Sequence, residues 1–249
     1  MSSPSTTFVS AFMKDINQRT DRTIDDYMTL GEHFLTTPYQ KVIFIDKDVY
    51  IEYISEKAHL YPSTYFIQIE KSDIYLYKYR EHATDFRPIT NNPDKDTYEF
   101  FMVQCMKTEW VKQAIEMNVF DSEQFVWMDF GIYHFINNDK DLIDGMQSMA
   151  SKEYATVRIA NTNPPNFQYY SRNVIRHIIW MFAGSVFGGS KGALTKFAEA
   201  MREKCLMFIE DYKTLTWEIN LWYLLFFENI SLFSLYDTFT HDKEILINY

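Results

Sequence analysis

The chain has 249 residues, 47% of them hydrophobic and 18% aromatic, which is enough apolar material for one sizeable core. Its formal net charge of −10, from 24 basic and 34 acidic residues, repels a phosphate backbone, so nucleic acid is not an expected partner. Only seven glycines are present, where average usage would give about seventeen, and neither a G-x-G-x-x-G nor a G-x-x-x-x-G-K-[ST] phosphate loop occurs.

The first part of the chain alternates short apolar strands with amphipathic helices. Strands are predicted at Thr7–Phe12, Lys41–Asp46 and Thr64–Glu70, and helices at Asp21–Leu35 and Val49–Lys57. This order is typical of a mainly parallel sheet covered on both faces. The polar stretch that follows, which contains two prolines and two asparagines, is expected to form a loop or a lid over a ligand, at Lys71–Asp96.

The second part continues the same alternation. Helices are predicted at Thr97–Met117, Asp139–Ala150, Lys191–Phe208 and Thr214–Asn229. Strands are predicted at Phe125–Ile132 and Tyr154–Ala160, followed by a chain-breaking segment at Asn161–Pro165, an apolar segment at Trp180–Phe187 and an irregular tail. Because no repeat or linker divides the chain, we predict one α/β domain over residues 1–249, with a mainly parallel mixed sheet flanked by helices on both faces.

Cysteine usage and the absence of leader signals point to a compartment. Cys105 and Cys205 are too far apart for a zinc-binding spacing and too few for a disulfide framework. Residues 1–7 are polar, and the longest strongly apolar run, Trp222 to Phe227, falls far short of the roughly twenty residues of a membrane span. The sequence therefore predicts a cytoplasmic protein without a transmembrane segment, and leaves open whether it forms a homodimer.

The most informative motif is an acid that follows a buried strand, Asp129, with Gly131 two residues later. In open α/β sheets ligands bind beyond the carboxyl ends of strands, and a carboxylate there can hold a divalent metal that neutralises a diphosphate. The alternative interpretation is an Asp that caps the following turn. A kinase-type Asp-Phe-Gly is excluded because no glycine-rich loop, Val-Ala-Ile-Lys or His-Arg-Asp segment precedes it.

Three further features are candidates for a site. The glycine cluster from Gly184 to Ser190 allows close approach of a ligand to the backbone ahead of a helix, or else forms a tight turn capped by Ser190. Glu218, near the start of a very apolar helix, suits acid–base or electrostatic work, or simply complements the helix dipole. His241 is either a surface residue or, if the tail covers the Asp129 pocket, a metal ligand.

In this order the motifs resemble the HtrL/YibB family, also called WlaTC/HtrL-like, whose members are regarded as glycosyltransferases associated with bacterial surface polysaccharides. The matching features cover most of the chain: Phe8–Phe12 with Arg19 or Arg22 nearby, Tyr27, Val42–Asp46, Lys107 ahead of Ala114, Trp127–Gly131, Phe187–Ser190, Glu218 and Ile247–Tyr249.

The resemblance implies a GT-A-like glycosyltransferase, with a nucleotide-sugar-binding half over about residues 1–135 and an acceptor-binding half with the tail over 136–249. Asp129 matches the first acid of the Asp-x-Asp motif that binds Mn²⁺ or Mg²⁺, and Gly131 replaces the second, so His241 or His134 would complete the metal site. The implied nucleotide contacts are Ser10, Ala11, Phe12, Arg19, Lys107, Phe130 and Gly131. The implied sugar contacts are Gly188, Gly189, Ser190 and Asn220, with Glu218 beside the reacting sugar.

The expected function is transfer of a sugar from a nucleotide-diphosphate donor, a UDP-sugar, to a glycan acceptor, with the metal stabilising the departing diphosphate. Glu218 acts as the base if the enzyme inverts configuration and orients the sugar if it retains it. The alternative is a catalytically inactive sugar- or nucleotide-binding protein on the same fold. A nucleotidyltransferase is disfavoured, because Met13–Arg19 lacks the glycine-rich loop that such an enzyme needs after its first strand.

Overall fold

The computed structural model describes residues 5–14, 22–87, 89, 96–163, 174–238 and 243–249. Within these residues the strands form one seven-stranded sheet in the order β3-β2-β1-β4-β6-β5-β7. Their bounds are β1 Thr6–Phe12, β2 Lys41–Asp46, β3 Thr64–Ile69, β4 Gln124–Met128, β5 Val157–Asn161, β6 Phe182–Ser190 and β7 Phe233–Asp237. Strand β6 runs antiparallel to β4 and β5, whereas the other neighbouring pairs are parallel.

Helices cover both faces of this sheet. The α-helices are α1 Ile24–Leu35, α2 Lys47–Val49, α3 Tyr98–Met117, α4 Tyr133–Ile136, α5 Asp139–Ala150, α6 Lys191–Tyr212, α7 Glu218–Glu228 and α8 Glu244–Ile247. Helices α3, α6 and α7 share one core with the sheet, and α1, α5 and α8 share the other. The predicted α/β class, with a mainly parallel mixed sheet between two helical layers, is confirmed. In the described part of the chain, no helix has the length and hydropathy of a membrane span.

The central strands are apolar throughout because both of their faces are buried. Along β1, Phe8 belongs to one core and Val9 to the other, and along β4 the same holds for Val126 and Trp127. All four side chains are at most 2% exposed. Such two-sided burial explains the continuous hydrophobic runs that predicted these strands from the sequence.

Several elements differ from the prediction in type or length. The helix predicted at Val49–Lys57 is a succession of α2, a π-helical turn at Tyr50–Ile54 and a 3₁₀ helix at Ser55–Leu60. Strand β4 ends at Met128 rather than Ile132, because the backbone N–H of Ile132 donates to the carbonyl of Asp129 (2.9 Å) and closes a turn. Asp129 is therefore the first residue beyond the strand.

The segment predicted as a loop is packed where the structure describes it. It contains 3₁₀ helices at Lys71–Asp73 and Tyr77–His82. Between them, the side chains of Ile74 and Leu76 are at most 1% exposed and belong to the core of α3 and α6. Residues 88 and 90–95 of this segment lie outside the described residues. Its first part is thus fixed by hydrophobic burial.

The tail predicted as irregular contains β7 and α8, and it continues the sheet. Strand β7 pairs in parallel with β5. The side chain of Tyr249 is buried and packs edge-to-face on Tyr236, with 5.6 Å between ring centroids. This tail therefore completes the core on the face of α1 and α5.

The paired glycines lie inside β6 and not in a turn ahead of α6. Gly188 pairs with Val126 and Gly189 with Phe125. A Cβ atom on Gly188 would overlap the Tyr249 hydroxyl and would lie 2.7 Å from the Phe125 carbonyl oxygen. Gly189 has φ near +150°, which residues with a side chain rarely adopt. Both glycines are required by packing of the sheet.

We predict that Gly188→Ala lowers the free energy of unfolding by about 1–3 kcal/mol, because the added methyl group has to displace the Tyr249 hydroxyl or the backbone of β4. The matched control is Gly192→Ala in α6, where a Cβ meets no atom within 4 Å and where alanine favours the helix by up to about 1 kcal/mol. Urea denaturation of both variants measures the difference. Equal stability of Gly188→Ala and the wild type would contradict this packing role.

Candidate functional site

A cavity of about 360 Å³ opens at the carboxyl ends of β1 and β4. From β1 the chain proceeds to β2 and β3 on one side, and it then returns through α3 to β4 on the other side. The order of strands therefore reverses between β1 and β4. Such a switch point is where open α/β sheets bind ligands. Ala11 and Phe12 from β1, together with Asp129 and Gly131 after β4, line the cavity.

Strand β6 contributes its beginning to the same cavity because it runs antiparallel to β4. The backbone N–H of Asp129 donates to the carbonyl of Ser185 at 2.9 Å. Gly184 and Ser185 consequently lie beside Asp129 and line the cavity. Lys107 from the middle of α3 and Glu218, the first residue of α7, reach it from the helical layer.

The ammonium group of Lys107 binds both carboxylates of the site. Its Nζ lies 3.1 Å from Oδ1 of Asp129 and 3.1 Å from Oε1 of Glu218. It also donates to the carbonyl of Gly184 at 2.9 Å. The indole N–H of Trp127 donates to Oδ1 of Asp129 at 2.8 Å. These contacts hold the two acids in a fixed arrangement around one buried cation.

Lys107 remains charged in this setting. Burial by itself lowers the pKa of the ammonium group, but the carboxylates of Asp129 and Glu218 more than offset this, and the net pKa is raised. The lysine side chain is only 5% exposed, so its positive charge acts where water screens little. Lys107 is therefore a permanent cation at neutral pH.

Glu218 has one carboxylate oxygen held by Lys107 and one that is buried without a partner among the described residues. Its side chain is 2% exposed, Oε1 accepts from Lys107, and Oε2 has no hydrogen-bond donor among the described residues. The hydroxyl of Ser185 is likewise buried without a partner there. Buried polar atoms without partners are costly. Since both residues line the cavity, a bound ligand with hydroxyl groups would satisfy them.

Position 184 has no room for a side chain because Glu218 lies against it. A Cβ atom at position 184 would overlap Oε1 of Glu218 and would lie 3.2 Å from a methyl group of Ile219. The glycine therefore permits the carboxylate to reach Lys107, and its own carbonyl binds the same ammonium group. Gly184 is the member of the glycine cluster that belongs to the site.

The turn after β4 explains why Gly131 stands where a second acid was expected. A Cβ atom on Gly131 would lie 3.3 Å from the ring of Tyr27, which is tighter than most contacts of this kind. Phe130 is buried, stacks on Phe12 with 5.5 Å between centroids and occupies the space left by Gly31 in α1. A carboxylate side chain at position 131 would require Tyr27 to move.

Only part of the predicted metal site lies within the described residues. Asp129 and His134 both line the cavity, and His241 lies outside the described residues. Nδ1 of His134 lies 2.5 Å from the Gly131 carbonyl and must be its donor, so Nε2 is the metal-binding nitrogen of that tautomer. Among the described residues, no three His, Cys, Asp or Glu side chains form a metal-binding group.

Asp129 and His134 have the side-chain chemistry of a partial ligand set for a divalent cation. The carboxylate of Asp129 is 35% exposed, although Lys107 lies within 3.5 Å of both of its oxygens and Trp127 binds one of them. Mg²⁺ is commonly held by one or two carboxylates together with substrate phosphates and water.

The structure brings together Ala11, Phe12, Lys107, Phe130 and Gly131 of the predicted nucleotide contacts, all of which line the cavity. Ser10 does not: its side chain is fully buried inside the sheet, one residue before the strand end that reaches the site. Arg19 lies outside the described residues.

The predicted sugar contacts lie elsewhere. Gly188, Gly189 and Ser190 are paired with the amino-terminal half of β4, at the end of the sheet opposite Asp129, and Ser190 caps α6. Asn220 is fully buried and uses its amide to bind the carbonyls of Val174 and His177. The prediction that these four residues contact the sugar is therefore corrected, because their groups are engaged in packing or in internal hydrogen bonds.

The sequence did not assign a site role to Ser185, Trp180 or Trp217, which line the cavity together with Glu218. Trp217 stands directly before Glu218, so an aromatic residue beside a candidate acid was the available signal. Trp180 begins the predicted apolar segment, and Ser185 lies in the glycine cluster. Neither was distinguished from its neighbours there, because the antiparallel direction of β6 decides which end of that strand reaches the cavity.

We predict that Lys107→Met destabilises the protein by about 3–5 kcal/mol, because it leaves Glu218 buried without its counter-charge. Adding Glu218→Gln to Lys107→Met should recover part of this loss. The matched control is Lys112→Met on the same helix, whose ion pair with the largely exposed Glu199 is worth at most about 1 kcal/mol. Additive losses in chemical denaturation of the double variant would contradict the coupling.

Solved structures that resemble the chain include two distant examples. Mouse xyloside xylosyltransferase 1 in its apo form superimposes with a TM-score of 0.46 at 8% identity, covering 93% of this chain and 84% of that one. The 4-diphosphocytidyl-2C-methyl-D-erythritol synthase of Anaerococcus prevotii gives a TM-score of 0.45 at 9% identity, covering 94% and 87%. Both similarities are too low to assign an activity to this chain.

Sequence comparison is more specific. None of the curated proteins matches the chain. The family HtrL_YibB, described as bacterial protein of unknown function, matches residues 4–238, and this span includes every residue of the cavity named above. The chain belongs to the HtrL_YibB family.

Proposed function

We propose that the protein is a glycosyltransferase that moves a sugar from a nucleotide-diphosphate donor, a UDP-sugar, to a hydroxyl group of a glycan acceptor. One observation carries this proposal: at the switch point of the sheet, Lys107 holds both a partly exposed carboxylate, Asp129, and a buried one, Glu218, whose second oxygen lacks a partner among the described residues. A ligand site for nucleotides is expected at this edge, and the two acids suit two different tasks there.

The side of the cavity next to α1 supports binding of the donor. Tyr27 packs against Phe12, with 5.3 Å between ring centroids, and the guanidinium carbon of Arg22 lies 5.9 Å from the centre of the Tyr27 ring. All three residues line the cavity. Aromatic rings next to a cation suit a nucleotide, which combines a flat base with anionic phosphates.

Glu218 supports the chemical step. Oε2 accepts a hydrogen bond from the attacking hydroxyl and takes its proton while the hydroxyl oxygen bonds to the anomeric carbon of the donor sugar. The bond from that carbon to the diphosphate breaks, and its electron pair leaves with the nucleotide diphosphate. Lys107 holds Oε1, so the base keeps one orientation. This role applies to an inverting enzyme; in a retaining enzyme Glu218 orients the sugar instead.

A divalent ion, Mn²⁺ or Mg²⁺, would neutralise the charge that develops on the departing diphosphate. Asp129 would hold it from the end of β4, with His134 on the following turn and His241 of the tail as further ligands. Tyr27 occupies the space beside Gly131 that a second acid would need. We therefore expect metal affinity to be low without the nucleotide and higher with it.

The second candidate is a sugar- or nucleotide-binding protein without turnover. Two observations favour it: in the described turn after β4, Gly131 stands where metal-dependent transferases have a second acid beside Asp129, and Glu218 is held in a buried ion pair. Such a protein would bind the same ligands in the same cavity. Slow hydrolysis of a sugar nucleotide separates the two candidates, because only the enzyme releases nucleotide diphosphate.

We predict that a nucleotide diphosphate, with Mn²⁺ or Mg²⁺ present, stabilises the wild type by about 2.7 kcal/mol at a hundred times its dissociation constant. Asp129→Asn should lose the metal-dependent part of this gain, since an amide is a poorer ligand than a carboxylate. The control is Asp211→Asn, an exposed position in α6. Thermal unfolding with UDP, UDP-sugars and other sugar nucleotides, each with metal or EDTA, measures the effect.

Two results would count against this proposal. If no nucleotide diphosphate stabilises the wild type, the donor site is wrong. If Asp129→Asn keeps metal-dependent stabilisation equal to that of Asp211→Asn, the donor site stands and the assignment of the metal is wrong.

A further inference from the structure

A large aromatic side chain stands exposed at the mouth of the cavity. Trp180 is 45% exposed and lines the same cavity as Glu218. Its ring centroid lies 6.1 Å from that of Trp217, the residue directly before Glu218. The cavity therefore has an apolar wall that leads from its mouth towards the carboxylate.

Trp217 gives this wall a rigid base. Its side chain is 6% exposed, and its indole N–H donates to Oδ1 of Asp96 at 3.2 Å. The ring packs against Phe100 and Phe101, at 5.4 and 5.6 Å between centroids. Trp180 therefore packs against a ring whose position is set by a hydrogen bond and by two further rings.

Hydrogen bonds to Asn220 hold the segment that leads to Trp180. The amide nitrogen of Asn220 donates to the carbonyls of Val174 (2.7 Å) and His177 (2.8 Å), and its oxygen accepts from the backbone N–H of Ile179 at 2.7 Å. The carbonyl of Trp180 itself accepts from the Thr162 hydroxyl at 2.6 Å. A fully buried asparagine therefore fixes the backbone of the segment that leads to the half-exposed Trp180.

The chemistry of this end of the cavity selects its ligand. The indole of Trp180 offers a flat apolar face, whereas Oε2 of Glu218 is an acceptor that carries negative charge and lacks a donor among the described residues. A ligand that fits both has an apolar face and hydroxyl donors, as a neutral sugar ring has. Lys107 already pairs with Glu218 through Oε1, and Arg22 lies with Tyr27 on the α1 side.

We propose that Trp180, supported by Trp217, is the acceptor subsite, on which a neutral sugar ring stacks while one of its hydroxyls points to Glu218. The assignment of this sugar as an acceptor rests on the proposed function, whereas its binding at Trp180 does not. The sugar unit of the acceptor that receives the new linkage is accordingly uncharged.

The test measures binding of simple sugars and of UDP separately, using the full chain. Methyl glycosides of glucose, galactose, mannose, N-acetylglucosamine and rhamnose are titrated by saturation-transfer NMR into the wild type, Trp180→Ala and Trp180→Phe. UDP with Mn²⁺ is titrated into the same proteins. The control variant is Tyr212→Ala, since Tyr212 is 49% exposed in α6 and does not line the cavity.

We expect at least one glycoside to bind the wild type and its dissociation constant to rise about tenfold in Trp180→Ala, as loss of one stacking contact implies. Trp180→Phe should stay within about threefold of the wild type, because a ring is retained. Tyr212→Ala should match the wild type, and UDP should bind all four proteins equally.

Three results would overturn the proposal: no glycoside binds the wild type, Trp180→Ala binds glycosides as well as Tyr212→Ala does, or Trp180→Ala loses UDP instead, which would make Trp180 a nucleobase contact. Failure of UDP binding in every protein, with the sugar results as expected, would contradict the proposed glycosyltransferase and leave Trp180 as the site of a sugar-binding protein.

Discussion

A buried ammonium group between two carboxylates determines the arrangement of the site. Lys107 comes from α3, Asp129 from the end of β4 and Glu218 from the start of α7, so one cation joins two consecutive elements to a helix that lies much later in the sequence. Taking such charges out of water costs several kcal/mol per ion unless each is well paired. Stability alone is a weak reason for this arrangement, because apolar side chains of similar volume would serve a core as well.

The location of these ion pairs in the sheet indicates a functional role. The order of strands reverses between β1 and β4, and the cavity opens at the carboxyl ends of those two strands. The antiparallel strand β6 adds Gly184, whose missing side chain lets Glu218 approach and whose carbonyl holds Lys107. One end of the cavity contains Arg22 and Tyr27, and the other contains Trp180 and the ion pair of Lys107 with Glu218. This difference in composition suits two different ligands.

The sequence predicted those parts of the fold and site that depend on local pattern. Two-sided burial made β1, β2 and β4 visible as apolar runs, and an acid directly after β4 identified Asp129. The wrong predictions concern residues whose location depends on the direction of a strand in the folded sheet. Gly188 and Gly189 were placed at the site on the expectation of a strand that ends there, whereas β6 runs antiparallel and brings its beginning, Gly184 and Ser185, to the cavity.

Side-chain direction explains one further error, and position along a strand explains another. Residues two apart on a helix do not share a face, so Asn220 points away from the cavity that Glu218 enters and binds the segment before Trp180 instead. Ser10 lies deeper in β1 than Ala11 and Phe12, which stand at the end of the strand, so its side chain is buried inside the sheet although theirs reach the site. Local sequence pattern could not predict the proposed role of Trp180, because that role depends on a contact with Trp217, which is distant in the sequence.

The most direct test of the account is the rate at which Glu218→Gln releases nucleotide diphosphate from a sugar nucleotide that the wild type hydrolyses. The substitution keeps the shape of the side chain and removes its ability to take a proton. We predict that the rate falls by about 10²–10⁴-fold, the usual contribution of a general base, while binding of the nucleotide measured on the same sample is unchanged. A rate close to that of the wild type would contradict the claim that Lys107 holds Glu218 in place for catalysis.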